Sequence, residues 1–227
     1  MLQNVRVLKW GHYYGINVAW NLLTGFPGET VEDYEQQAEL IPKLLHLPPP
    51  VGGGRIWMER FSPYFTDPDF PVENLEPWAA YGYVYPEDSV DLRKIAYFFD
   101  YSMEDVVPDE QLVGVKEAMQ TWMDSWRKPK PPILVYQRTP DWIQVVDRRI
   151  PDEPQVHAFQ GLDAAVYDLC GDTDHTAAKV TSLLRQDGGA AEVEEVEQAL
   201  GRFCELGLMV GEDGRYLSLA LPVNANW

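Results

Sequence analysis

The residues most able to do chemistry sit where an apolar run meets a helix-like pattern, at WNLLTGFPGET, residues 20–30. Gly25, Pro27 and Gly28 follow a strand expected over Ile16–Leu23 and precede a helix opened by Thr30, Glu32 and Asp33. A glycine turn at the C-terminal end of a strand lets a ligand approach the backbone, and the helix behind it favours a negative group. It is not a phosphate-binding loop of the G-x-x-x-x-G-K-S/T type, because the lysine and the spacing are missing. A tight strand-to-helix connection is the plainer reading of these residues alone. Other candidates are sparse. Cys170 and Cys204 read as reduced core thiols among apolar residues. His12, His46, His157 and His175 lack the spacing of a zinc site. Asp172, Asp174 and His175 read as a turn between helices with an N-cap. Trp10, Trp20 and Trp57 read as core more readily than as pocket walls.

The elements that position these residues fall into three stretches. Residues 1–66 read as strand, helix, strand. Val31, Tyr34, Ala38, Ile41 and Leu45 recur at helical steps, and Pro42 should divide that helix. HLPPPVGGG reads as a loop, and Arg55–Tyr64 begins the next strand, which makes a βαβ unit with parallel pairing. Residues 67–130 are rich in proline and aromatics and form an irregular cover, with helices expected over Asp88–Tyr101 and Asp109–Arg127 before the linker RKPKPP. Residues 131–227 form a further unit. ILVYQRT and WIQVVDRR flank Pro140-Asp141 as a hairpin, and a short third strand falls near Gln155–Phe159. Three helices follow, and then a hairpin turning at Glu212-Asp213-Gly214. Helices followed by a short hairpin make a winged-helix pattern.

The chain of 227 residues carries a formal charge of −18, which repels phosphate-rich surfaces. Residues 160–220 hold four bases against twelve acids, so the winged-helix pattern is not read as a DNA-binding one. No run of about 18 apolar residues is present, so no membrane span is expected. The N-terminus has charge but no apolar core of a signal peptide, and a cytoplasmic location is the default.

One combination is more specific than any single piece. WNLLTGFPGE, Tyr34, LHLPPP, ERFSPYF, YVYP, IAYFFDYS and the ending GLMVGEDGRYLSLAL, in this order, resemble the C-terminal part of the radical S-adenosylmethionine enzymes that mature ribosomally made peptides, often with a cobalamin-binding domain upstream. The resemblance implies an α/β fold: a partial TIM-like barrel with parallel strands, then an α+β winged-helix or peptide-recognition domain. It implies that Leu23, Gly25, Phe26, Pro27, Gly28 and Glu29 line the nucleoside side of an S-adenosylmethionine site, with Glu59, Arg60 and Ser62 at the same mouth. For Glu59 and Arg60 a rim salt bridge is an equal reading.

The chain departs from that family in one respect. A 4Fe-4S cluster needs three thiolates in a C-x-x-x-C-x-x-C segment, whereas Cys170 and Cys204 lie 34 positions apart and no third cysteine exists. The chain alone is therefore expected to make no radical. A missing N-terminal half or a second copy of the chain would complete the barrel, or the chain is a degenerate product. The C-terminal stretch resembles the small peptide-recognition domain of peptide-maturation systems. This implies that a precursor's leader adds as a strand beside Val156, His157, Ala158 and Phe159, against the helix that carries Val193, Val196, Leu200 and Phe203. The rival expectation is a cluster-free scaffold that presents a leader peptide to a separate enzyme.

Overall fold

The computed structural model describes residues 1–86 and 90–223. In chain order the elements are α1 (Leu2–Tyr13), β1 (Asn21–Thr24), α2 (Val31–Leu40) with a 3-10 turn at Ile41–Leu44, β2 (Gly52–Arg55), β3 (Met58–Glu59), α3 (Pro63–Thr66), β4 (Val72–Pro77), α4 (Ala80–Val84), α5 (Leu92–Ile95) and β5 (Phe98–Met103). A 3-10 turn at Asp109–Leu112 leads into α6 (Val113–Trp126). Then come β6 (Ile133–Thr139), β7 (Trp142–Arg148), β8 (Gln155–Gln160), α7 (Gly161–Leu169), β9 (His175–Thr176), α8 (Ala177–Gln186), α9 (Val193–Glu205), β10 (Met209–Glu212), β11 (Arg215–Ser218) and β12 (Leu221–Pro222). The fold is mixed α/β, with parallel and antiparallel sheets and no closed barrel among the described residues. No helix among them is long and apolar enough to cross a membrane.

The chain divides into two compact units, each drawn from separated segments: 20–37 with 50–116, and 1–19 with 38–49 and 117–227. Each unit takes residues from more than one of the three compositional stretches.

In the unit of residues 20–37 and 50–116, β1 and β2 pair in parallel, from Asn21 against Gly52 to Thr24 against Arg55. This is the expected strand, helix, strand order. The helix ends where Pro42 enters the 3-10 turn, as its missing N–H requires. The strand boundaries differ from expectation. Ile16 bonds back to the Gly11 carbonyl as α1 ends and is 62% exposed, so the strand starts only at Asn21. β2 runs through the glycines and stops at Arg55, because the ladder to β1 needs backbone only. Arg55–Tyr64 is not one strand: β3 holds only Met58 and Glu59, and Ser62 caps α3. A second sheet has the order β3-β5-β4, antiparallel throughout. β5 overturns the helix expected over Asp88–Tyr101. Among the described residues of that span only Leu92–Ile95 is helical, and Phe98–Met103 pairs with β4 instead. Asp88 itself lies outside the described residues. Met58, Ala96 and Phe99 form the core of this sheet, with Tyr64, Phe65, Leu75 and Tyr101 packed on it.

In the other unit the sheet order is β12-β6-β7-β8. The hairpin at Pro140-Asp141 and the third strand both lie where the sequence placed them. Three helices, α7, α8 and α9, pack on one another, and β10 and β11 close the unit as a hairpin joined by β9. Asp213 and Gly214 take φ of 50° and 70°, the left-handed pair that a tight hairpin turn demands. α9 carries a full capping box, Glu192 with Glu195, which starts the helix in an acidic stretch. α6 spans the expected Asp109–Arg127 region, and its Trp122 indole donates to the Leu47 carbonyl at 2.8 Å.

Helix α1 was not foreseen. Leu2, Val5 and Leu8 are buried at three-residue steps, and Lys9 is fully buried with them. Its Nζ donates to the carbonyls of Gly171 and Ser218, both at 2.6 Å.

Candidate functional site

The turn after β1 is built by its own side chains. Gly25 (φ 83°) and Gly28 (φ 81°) take the left-handed conformation that favours glycine. Phe26-Pro27-Gly28-Glu29 closes with the Glu29 N–H donating to the Phe26 carbonyl at 3.4 Å, and proline and a left-handed glycine are what that turn type asks for. α2 supplies Tyr34, which is 2% exposed, to the back of this turn. The Tyr34 hydroxyl accepts from the Gly25 N–H at 2.8 Å and donates to the Glu29 carboxylate. The same carboxylate accepts from the Phe26 N–H at 3.0 Å, and the Gly28 N–H donates to the Asp105 carbonyl at 3.2 Å. Burial and the neighbouring Glu29 push the Tyr34 hydroxyl up to about 12, so it stays a proton donor at any ordinary pH.

Four amides of the turn, those of Gly25, Phe26, Gly28 and Glu29, are thus occupied. Leu23 is 46% exposed, and the Phe26 ring lies 6.2 Å from that of Tyr64. The turn is brought together as one piece, Gly25 to Glu29 closed by Tyr34. Spacing alone hid this closure, although Tyr34 stands on the apolar stripe of the helix.

Glu59, Arg60 and Ser62 have separate employment. Glu59 accepts from the Tyr97 hydroxyl at 3.3 Å, and its charge raises the pKa of that phenol. The Arg60 guanidinium donates to the Ala96 carbonyl at 2.5 Å and to the Arg93 carbonyl, and it lies over the rings of Phe65 and Phe99 at 5.3 and 5.1 Å. Ser62 Oγ accepts from the Phe65 N–H at 3.2 Å as an N-cap. These contacts hold the second sheet together. No salt bridge joins Glu59 to Arg60 among the described residues.

The second predicted site lies on β8. In the sheet order β12-β6-β7-β8 this strand is the outer one, so one row of its backbone groups has no neighbour among the described residues. Val156, 61% exposed, and Ala158 alternate with half-buried His157 and Phe159. The Phe159 ring meets Phe203 of α9 edge-on at 4.9 Å and lies 6.3 Å from Tyr167. His157 stacks beside it at 6.2 Å, and its buried Nε2 has no hydrogen-bond partner. β8 therefore offers an open border with an aromatic backing from α9. Val196, Leu200 and Phe203 are core, while Val193 is half-buried.

Neither thiol is poised for ligation. Burial pushes Cys170 up to about 12 and raises Cys204 as well. No group of three or more His, Cys, Asp or Glu gathers around one point among the described residues. Thr176 caps α8 through the Lys179 N–H at 3.2 Å and Asp174 pairs with Arg215, but His175 and Thr176 pair with β11 as a short strand, so the GDTDHT segment is a turn and a strand ahead of an N-cap.

No family model, no curated protein and no solved structure matches the chain.

Proposed function

We propose that this chain captures a ribosomally made precursor peptide along β8, as the C-terminal part of a radical S-adenosylmethionine enzyme of peptide maturation. The open border of β8 beside α9 carries the reading. An extended peptide added there gains main-chain hydrogen bonds from the strand, and side chains directed at α9 set selectivity. The helices α7, α8 and α9 with the β10–β11 hairpin suit the winged-helix description, and the β6–β7–β8 meander ahead of them suits the peptide-recognition domain.

The barrel half of the reading draws on β1 and β2. Parallel strands occur almost only in larger sheets covered on both faces. Here the pair has no third strand among the described residues, as a partial barrel would leave it. The strands that complete it would come from a missing N-terminal half or a second copy. S-adenosylmethionine, the 4Fe-4S cluster and cobalamin belong to the reading through resemblance alone. The residues here do not fit them: two cysteines cannot hold the cluster, and Glu29, Tyr34 and the Asp105 carbonyl already fill the turn. No chemical step is derived through these groups.

That filled turn also favours a second reading, a cluster-free scaffold that hands a leader peptide to a separate enzyme. DNA upstream of Met1 separates the two. An in-frame C-x-x-x-C-x-x-C favours the enzyme part, and a stop codon beside a complete enzyme gene favours the scaffold.

Hydrogen exchange tests the capture step shared by both. Adding the precursor peptide encoded beside the gene should slow exchange at alternate amides of residues 155–160. Protection elsewhere, with β8 unchanged, overturns the proposal.

A further inference from the structure

A cleft in the unit of residues 20–37 and 50–116 meets the glycine turn only through Arg55, which lies 3.4 Å from where a Gly25 Cβ would stand. Its volume is about 630 Å³, and its walls include Trp57, Trp78, Phe99 and Tyr101 with Arg55, Asp100 and Asp109. Trp57 stands between β2 and β3 and is 61% exposed, which is unusual for the largest apolar side chain. It is held edge-on against Trp78 at 5.7 Å and Phe98 at 5.5 Å, while Trp78 and Phe98 stack at 4.8 Å. The indole is thus a fixed wall with an open side.

Of the charges around this wall, one carboxylate is left without a partner among the described residues. Arg55 is occupied, its Nε donating to Asp109 at 3.3 Å and its other arm to the Val107 carbonyl at 3.2 Å. Lys116 shares the same Asp109 at 3.2 Å. Asp100 on β5 is exposed and engages no partner among the described residues.

We propose that this cleft binds a guanidinium group, the side chain of an arginine presented in a peptide. A planar, weakly hydrated cation can lie on an indole face and offer paired N–H groups to a carboxylate at the same time. Trp57 supplies the face and Asp100 the carboxylate. The unpaired Asp100 carboxylate attracts the cation. A lysine, a compact and strongly hydrated point charge, uses the face less well. The inference is independent of the peptide edge on β8.

The test titrates N-acetyl-arginine amide into the intact chain and follows the indole N–H resonances, assigned by single Trp→Phe variants. The citrulline analogue, neutral and nearly the same shape, is the control. The arginine compound should shift Trp57 and Trp78 saturably, and the citrulline compound should not. Asp100→Asn and Trp57→Leu, both at exposed positions, should each weaken binding roughly tenfold or more while circular dichroism is unchanged. Three results would overturn the proposal: equal binding of citrulline, shifts confined to tryptophans outside the cleft, or full affinity in both variants.

Discussion

Gly25 and Tyr34 illustrate how one turn can look like a ligand site and be closed from within. Burying the Tyr34 hydroxyl is tolerable because it both accepts and donates, and a buried polar group without a partner costs about 1–3 kcal/mol. Gly25 is needed for its φ of 83°, whereas the nearest side chain, Arg55, lies 3.4 Å from where a Cβ would stand and can shift. Gly25→Val should therefore destabilise the fold by about 1–3 kcal/mol, read as a lower denaturant midpoint. An unchanged midpoint would mean that the glycine serves a ligand rather than the turn. The glycines, the proline and the acids at the helix start were all legible in the sequence. The closure was not, because it depends on which way a tyrosine on the next helix points.

Among the elements, the strongly patterned ones were legible: β6, β7, α8, α9 and the final hairpin follow from apolar spacing and turn residues. The weakly patterned ones were set by neighbours. β2 is three glycines and an arginine, and only β1 alongside makes it a strand. β5 carries Phe98 and Phe99 in a segment whose spacing also suits a helix, and β4 decides the matter. α1 is weakly marked because Gln3, Asn4, Arg6, Lys9 and His12 interrupt its apolar stripe and no cap announces it. On the peptide edge, β8 and α9 are joined through Phe159 and Phe203. Phe203 is 1% exposed, so Phe203→Ala should cost about 3–5 kcal/mol, measured by chemical denaturation. A loss under about 1 kcal/mol would mean that α9 does not brace the strand.

At the scale of the whole molecule, two buried bases make stability depend on pH. His46 is 2% exposed, and its Nε2 lies 3.0 Å from the Leu219 carbonyl, so Nε2 holds the proton of the neutral ring. Burial, and then the Arg149 charge, push its pKa down from 6.5 to about 3. Burial pushes Lys9 down from 10.5 to about 7. In both cases the folded state binds fewer protons than the unfolded one, so stability rises with pH. The histidine contribution is complete above about 6.5 and fades towards about 3. The Lys9 contribution grows from about 7 towards 10.5. Denaturant midpoints between pH 7 and pH 4 should fall, and His46→Gln should flatten that slope; an equal slope in the variant would assign it to carboxylates instead.

Lys9 also carries a consequence for synthesis. Its two acceptors lie 162 and 209 positions downstream, at Gly171 and Ser218. A ribosome releases the helix well before its seat. While the intervening residues are made α1 is an orphan, with an ammonium on its apolar side. It can dock only once the β10–β11 hairpin has emerged, so the earliest-made helix of this unit is among the last to settle.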